Sequence, residues 1–130
     1  RVITEEKTNE DLEKYDNFFQ QLKVFIEDNQ LFKDPHFSVT KLAVLSGINI
    51  PHISKTLKVK GYNNFNHYLN ICRINYVKKM MSESDLNKVT LMHIYTNAGF
   101  SNQPTFNRVF KQLENITPSE YSLRAEEANE

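Results

Sequence analysis

Two short segments of the chain carry basic, amide and hydroxyl side chains at helical spacing, and the two segments match each other in register. At an offset of 53, seven positions correspond: Asn49, Pro51, Ile53, Ser54, Lys55, Leu57 and Lys58 align with Asn102, Pro104, Phe106, Asn107, Arg108, Phe110 and Lys111. In both segments apolar residues spaced four apart alternate with polar and basic ones, which predicts a helix with one exposed basic face. Chance readily supplies one solvated basic helix, but a second in matched register indicates a shared role.

The chemistry of the two polar faces differs. The second segment carries three polar side chains in one outward sector, namely Gln103, Asn107 and Arg108. Arginine can make two hydrogen bonds to the edge of guanine, and asparagine or glutamine can make two to the edge of adenine. Lys111 is placed to reach a phosphate. The first segment carries side chains that are shorter or that can contact a base at only one point, namely His52, Ser54, Lys55 and Lys58.

Each basic segment follows a shorter apolar helix that ends at a glycine. Ser38 is a suitable N-cap for a helix through Leu45 that turns Val39, Leu42 and Leu45 inward, and Gly47 closes it. At an offset of 52, Thr90 and Gly99 bracket the second copy. Proline in the first turn of each basic segment costs no hydrogen bond. We therefore predict two helix-turn-helix units.

The remaining periodicity predicts three further helices and no strand. Apolar residues recur at spacings of three and four from Asp11 to about Asn29, and Asn64 caps a long helix to Ser82 with Arg73, Lys78 and Lys79 on its polar face. A last helix opens at Thr117-Pro118 and runs to about Arg124. We predict an all-α fold of seven helices, divided into a flexible linker 1–10, a first lobe 11–63, a linker helix 64–82, a second lobe 83–124 and an acidic tail 125–130.

Composition excludes several classes of function. The single cysteine, Cys72, rules out an internal disulfide, and the four histidines are scattered, so we predict no metal and no cofactor. No acid, base and nucleophile converge in a motif, so we predict that the protein is not an enzyme. No apolar run is long enough to span a membrane. Because the chain begins at Arg1, we expect it to be a fragment of a longer protein.

A net charge of zero argues against a nucleic-acid partner at first sight, but the charge is unevenly distributed. Residues 1–36 carry a net charge of −4, residues 37–124 a net charge of +7, and residues 125–130 a net charge of −3. A basic body flanked by acidic ends suffices for binding phosphates, because only the local potential matters.

The chain resembles the DNA-binding domain of the AraC/XylS family of bacterial transcription regulators over residues 11–124. The most specific match is G-F-S-N-Q-P-T-F-N-R-V-F-K-Q-L-E-N-I-T-P-S-E-Y at 99–121, with further similarity at L-A 42–43, at Gly47 and at Y-L-N-x-x-R-I 68–74. The resemblance implies two homeodomain-like lobes joined by a long helix. It implies that helices 49–60 and 102–113 enter adjacent major-groove segments about one helical turn apart.

Carried over position by position, the resemblance implies base-reading roles for six residues: Pro51, Ser54, Lys55, Gln103, Pro104 and Arg108. The residue chemistry adds Asn107 to the base readers, with His52, Lys58 and Lys111 contacting the backbone. A proline offers a base only van der Waals contact. We therefore expect the second lobe to dominate specificity.

The chain departs from the family at two places, since Tyr95 replaces a small residue that Ala43 keeps in the first lobe, and Ser122 replaces a common basic residue. The resemblance further implies double-stranded DNA as the partner, RNA polymerase and an upstream sensor domain as additional partners, and a cytoplasmic, nucleoid-associated location. The neutral total charge, Pro51 and Ser54 leave one alternative open, a protein-interaction module of the same fold with weak affinity for DNA.

Overall fold

The computed structural model describes residues 9–128, which contain seven α-helices and no strand. The helices are α1 (Asn9–Lys23), α2 (Val39–Ser46), α3 (Ile50–Val59), α4 (Phe65–Glu83), α5 (Leu91–Asn97), α6 (Gln103–Glu114) and α7 (Pro118–Ala128). Val24–Asp28 prolongs α1 by a π-helical turn, and Leu31–Lys33 forms a short 3-10 turn. The predicted all-α fold of seven helices is confirmed.

Side-chain caps start the helices where the sequence places them. The oxygens of Ser38, Asn49, Thr90 and Asn102 each accept a hydrogen bond from the backbone N–H three residues on, over distances of 2.9 to 3.2 Å. Such a cap satisfies a donor that the helix itself leaves without a partner. The matched caps confirm the register of the internal repeat.

The chain termini depart from the prediction in one respect. The predicted tail 125–130 is helical as far as Ala128, because alanine and glutamate are strong helix formers and nothing in this stretch breaks α7. Residues 1–8 of the predicted linker 1–10 lie outside the described part of the chain, and α1 begins at Asn9.

Among the described residues, 9–30 and Ser38–Tyr68 form one compact unit. Its α3 packs against both α1 and α2. Its buried side chains are mainly aliphatic, and they include Leu22, Ile26, Leu42, Ile48, Ile53 and Leu57. The predicted inward position of Leu45 is wrong, because this side chain is 53% exposed. The face of α2 that is turned inward runs through residues 39, 42, 43 and 46, and Leu45 lies about 100° from its centre.

The other unit combines Leu31–Phe37 with residues 69–128. In it α6 packs against α5 and α7. Its core is rich in aromatic rings, and its buried members include Ile74, Val77, Tyr95, Phe100, Phe106, Val109 and Phe110. The predicted boundaries placed residues 31–37 in the first lobe, whereas their contacts group them with the second unit.

Arg73 is one of the residues that tie the 31–37 segment to this unit. The sequence placed it on the polar face of the linker helix, but its side chain is only 9% exposed. Its Nε donates to the carbonyl oxygen of Phe32 and its Nη2 to that of Asp34, both at 2.8 Å. The expectation of a solvated Arg73 is therefore wrong, because two backbone carbonyls 39 and 41 residues away replace water as its partners.

Candidate nucleic-acid interface

The polar face of α3 is exposed because the apolar face of this helix is buried in the core. Ile53 and Leu57 are completely buried, which turns Pro51, Lys55 and Lys58 to the surface. Ser54 lies between these sectors and is partly buried. The surface therefore carries two ammonium groups one turn apart, with a short hydroxyl beside them.

His52, like Ser54, is less exposed than the other predicted contacts of α3. Its ring stacks on Phe18 of α1, with centroids 5.7 Å apart and planes 24° apart. Its backbone N–H donates to the Asn49 cap and its carbonyl accepts from the Thr56 hydroxyl at 2.6 Å. The imidazole is half-buried, so only part of its rim can reach a phosphate.

All five predicted contact residues of α6 are exposed. Phe106, Val109 and Phe110 bury the opposite face of the helix, at 0 to 2% exposure. A shallow groove runs along the polar face of α6 and is lined by Leu91, Gln103, Asn107, Arg108, Lys111, Thr117, Pro118 and Ser119. The structure thus places Gln103, Asn107, Arg108 and Lys111 on one concave surface, while Pro104 is exposed in the first turn of the same helix.

The sequence prediction did not include the wall that α7 contributes to this groove. Thr117 and Glu120 form a reciprocal cap, in which Glu120 N–H donates to Thr117 Oγ1 at 3.1 Å and Thr117 Oγ1 donates to Glu120 Oε1 at 3.0 Å. The signal was present as the T-P-S-E string, which is a capping box followed by a tyrosine. The cap fixes the start of α7, where Thr117, Pro118 and Ser119 line the groove.

The same cap controls the ionisation of its carboxylate. Hydrogen bonds from the Thr117 side chain and backbone lower the pKa of Glu120 below its ordinary value of 4.5, and the positive charges of Arg124 and Lys111 add to this effect. Glu120 therefore keeps its negative charge to a lower pH than an ordinary glutamate does.

The two turns that precede the basic helices have different surroundings. Gly47 and Gly99 both have positive φ, at 73° and 104°, as the turn requires. A Cβ on Gly47 would meet nothing within 4 Å, but one on Gly99 would lie 2.4 Å from Phe32 O and 2.7 Å from Arg73 Nε. The second turn is thus pressed against the 31–37 segment.

Other kinds of site find little support in residues 9–128. No three His, Cys, Asp or Glu side chains in this part of the chain are grouped so that they could hold a metal ion. No described helix has the length and apolar character to cross a bilayer.

Known proteins resemble this chain in both sequence and fold. A family model described as a helix-turn-helix domain matches residues 42–124. A protein of unknown function from Listeria innocua shares 25% identity, with a TM-score of 0.66 over 80% of this chain and 93% of that one. The C-terminal domain of the two-component response regulator yesN from Fusobacterium nucleatum subsp. nucleatum shares 22% identity, with a TM-score of 0.69 over 82% of this chain and 98% of that one. A search among curated protein sequences finds no match.

Proposed function

We propose that the chain reads a specific double-stranded DNA sequence with both basic helices. The premise is that it belongs to the AraC-type helix-turn-helix family of DNA-binding transcription regulators. In this proposal α3 and α6 enter two adjacent segments of the major groove, about one helical turn apart. The family is one of DNA-binding regulators and not of enzymes. The domain would act in the cytoplasm, with a sensor domain upstream and RNA polymerase as a further partner.

The groove on α6 is the observation that carries this proposal. It holds a guanidinium, an amide pair and an ammonium on one exposed surface, and these are the groups that recognise base edges and phosphates. We assign base reading to Gln103, Asn107 and Arg108. We assign contact with a DNA phosphate to Lys111. Pro104 offers van der Waals contact in the first turn of α6, where a thymine methyl is a fitting partner.

We assign a weaker share of the reading to α3. Pro51, Ser54 and Lys55 are its base readers, but a serine hydroxyl and a lysine make fewer directed hydrogen bonds than an arginine. Lys58 is exposed and is assigned to the DNA backbone. His52 is assigned to the backbone as well, although its stacking on Phe18 limits its reach.

Salt dependence of binding tests the phosphate contacts. The affinity of the whole chain for a labelled duplex of mixed sequence is measured over a range of salt concentrations, and compared with its affinity for a single strand. Lys58→Ala and Lys111→Ala should each flatten the slope of log K against log salt by about 1, because each removes one released counterion.

Lys79→Ala is the matched control, because Lys79 is an exposed lysine on α4 and belongs to neither basic helix. Its slope should equal that of the original chain. Unchanged slopes for Lys58→Ala and Lys111→Ala would remove both residues from the interface. Absence of any binding to a duplex at low salt, by folded protein, would favour the protein-interaction module instead.

A further inference from the structure

We propose that Arg73 is a positioning residue for DNA reading by α6, acting through the turn that precedes this helix. The inference rests on the proposed function, since it concerns how the second reading helix is held. Arg73 itself lies on α4 and is buried, so it touches no DNA. Its effect would reach the bases only through the residues that it supports.

Arg73 ties a segment of irregular backbone to the helical unit that contains α6. Its guanidinium donates at 2.8 Å to both the Phe32 and the Asp34 carbonyls, which fixes the 31–37 segment by two points. A planar guanidinium holds such a fork rigidly, because its donors cannot rotate independently. Burial lowers the pKa of Arg73, and the charge of Asp34 offsets part of that cost. We name Arg73 with residues 32–34 the Arg73 bracket.

The turn before α6 rests directly on the Arg73 bracket. The position of a Cβ on Gly99 lies 2.4 Å from Phe32 O, 2.7 Å from Arg73 Nε and 3.1 Å from Lys33 O, so no side chain fits between the turn and the bracket. Asn102, the N-cap of α6, follows Gly99 by three residues. The bracket therefore limits where α6 can begin.

A second line of contact leads from the bracket into α6 itself. The Arg73 guanidinium lies 5.9 Å from the centre of the Phe100 ring, and Phe100 packs edge-to-face on Phe106 with centroids 5.3 Å apart. Phe106 stands in the first turns of α6, two residues before Arg108. Movement of the bracket would thus shift both the start and the inner face of the reading helix.

The first repeat offers an internal control for this inference. Gly47 also closes its turn at positive φ, 73° against 104° at Gly99, but a Cβ there meets no atom within 4 Å. Gly47→Ala therefore introduces positive-φ strain, milder than at Gly99, without touching a bracket.

The test compares discrimination rather than affinity. The preferred duplex is first selected from random sequences, and affinities are then measured for it and for duplexes with one base pair changed in the block read by α6 or in the block read by α3. The ratio of the two affinities on one protein sample does not depend on the folded fraction, so a loss of stability alone leaves it unchanged. Variants are Arg73→Lys, Gly99→Ala and Gly47→Ala, measured at low temperature.

Arg73→Lys should lower discrimination in the α6 block by about tenfold, the order of one lost bidentate base contact, and leave the α3 block unchanged. Gly99→Ala should do the same, and Gly47→Ala should leave the α6 block unchanged. If the original chain discriminates but both bracket variants keep its ratio in the α6 block, the inference is overturned. An equal loss in both blocks would overturn it too. A chain without any discrimination would instead refute the proposed function.

Discussion

The two repeats share their caps and turns but differ in what lies beneath each basic helix. Under α3 the core is aliphatic, with Ile53 and Leu57 fully buried. Under α6 the equivalent residues are Phe106 and Phe110, which belong to a chain of rings. Tyr95 stacks on Phe106 with centroids 4.8 Å apart, and Phe110 meets Tyr121 edge-to-face at 5.5 Å. The caps and turns thus preserve the register of the repeat, while the core residues beneath the two helices differ.

Tyr95 shows how that divergence is accommodated. The first unit has Ala43 at the equivalent position, half-buried in α2. The second unit gives its ring a nearly parallel stack on Phe106, with planes 21° apart, and leaves it 7% exposed. The stack on Phe106 is thus how the second unit accommodates a tyrosine where the first unit has an alanine.

The trailing strings differ in the same way. In T-P-S-E-Y the cap is reciprocal, because Thr117 Oγ1 accepts from Glu120 N–H and donates to the Glu120 carboxylate. In N-F-N-H-Y the Asn64 side chain accepts from His67 N–H at 2.8 Å, and the His67 Nδ1 accepts from the N–H of Asn63, one residue before the cap. Only the cap at Thr117 brings a carboxylate close to a basic helix.

Truncation of the ring beneath α6 should produce the largest effect. Phe110→Ala should lower the free energy of unfolding by ~3–5 kcal/mol, because it leaves a cavity within the chain of rings. Its counterpart beneath α3, Leu57→Ala, should cost ~2–5 kcal/mol. Urea unfolding followed by circular dichroism measures both. A loss under ~1 kcal/mol for Phe110→Ala would mean that the ring does not carry the core of its unit.

Truncation of Lys55 on α3 and of Arg108 on α6 should show how much each of the two helices contributes to base discrimination. Arg108→Ala should cost ~1–3 kcal/mol of binding free energy and relax discrimination at one base pair, because a bidentate contact is lost. Lys55→Ala should relax discrimination less, since an ammonium makes no fixed fork. Competition binding on the selected duplex and its single-base variants measures both. An equal loss of affinity of Arg108→Ala for every sequence would contradict its base-reading role.

Acid should weaken the capping box of α7, and this is the smallest of the three predicted effects. Because the pKa of Glu120 is lowered in the folded chain, its stabilisation is present above 4.5 and is lost as pH falls through the lowered value. The amides of Thr117 and of residues 119–121 should therefore exchange faster with solvent as the pH falls below 4.5, after correction for the intrinsic rate.

Glu120→Gln is the control for the acid effect, because it has no titrating group. It should show the faster corrected exchange already at neutral pH, and no further change on acidification in this range. Equal corrected exchange of the original chain and of Glu120→Gln at neutral pH would contradict the contribution of the carboxylate.

The parts of the fold that depend on neighbours in sequence were predictable. Ser38, Asn49, Thr90 and Asn102 cap helices by contacts that span three residues, so their residue types and positions suffice. The exposure of Arg108 followed in the same way, because Phe106 and Phe110 four residues apart fix the inner face of α6.

Contacts between distant segments were not predictable from periodicity. Arg73 looked like part of a solvated face because its carbonyl partners lie about 40 residues earlier in the chain. His52 was predicted as a backbone contact, and its stack on Phe18 depends on the packing of α1 against α3. Leu45 was misplaced because two turns of helix do not define the inward face sharply.

A binding selection on randomised duplex DNA, carried out with the original chain, with Lys55→Ala and with Arg108→Ala, shows whether both basic helices read bases. We expect a preferred sequence of two blocks about one helical turn apart, one blurred by each substitution, with the block tied to Arg108 the more sharply defined. No enrichment at low salt by folded protein, or a preferred sequence that neither substitution alters, would contradict it.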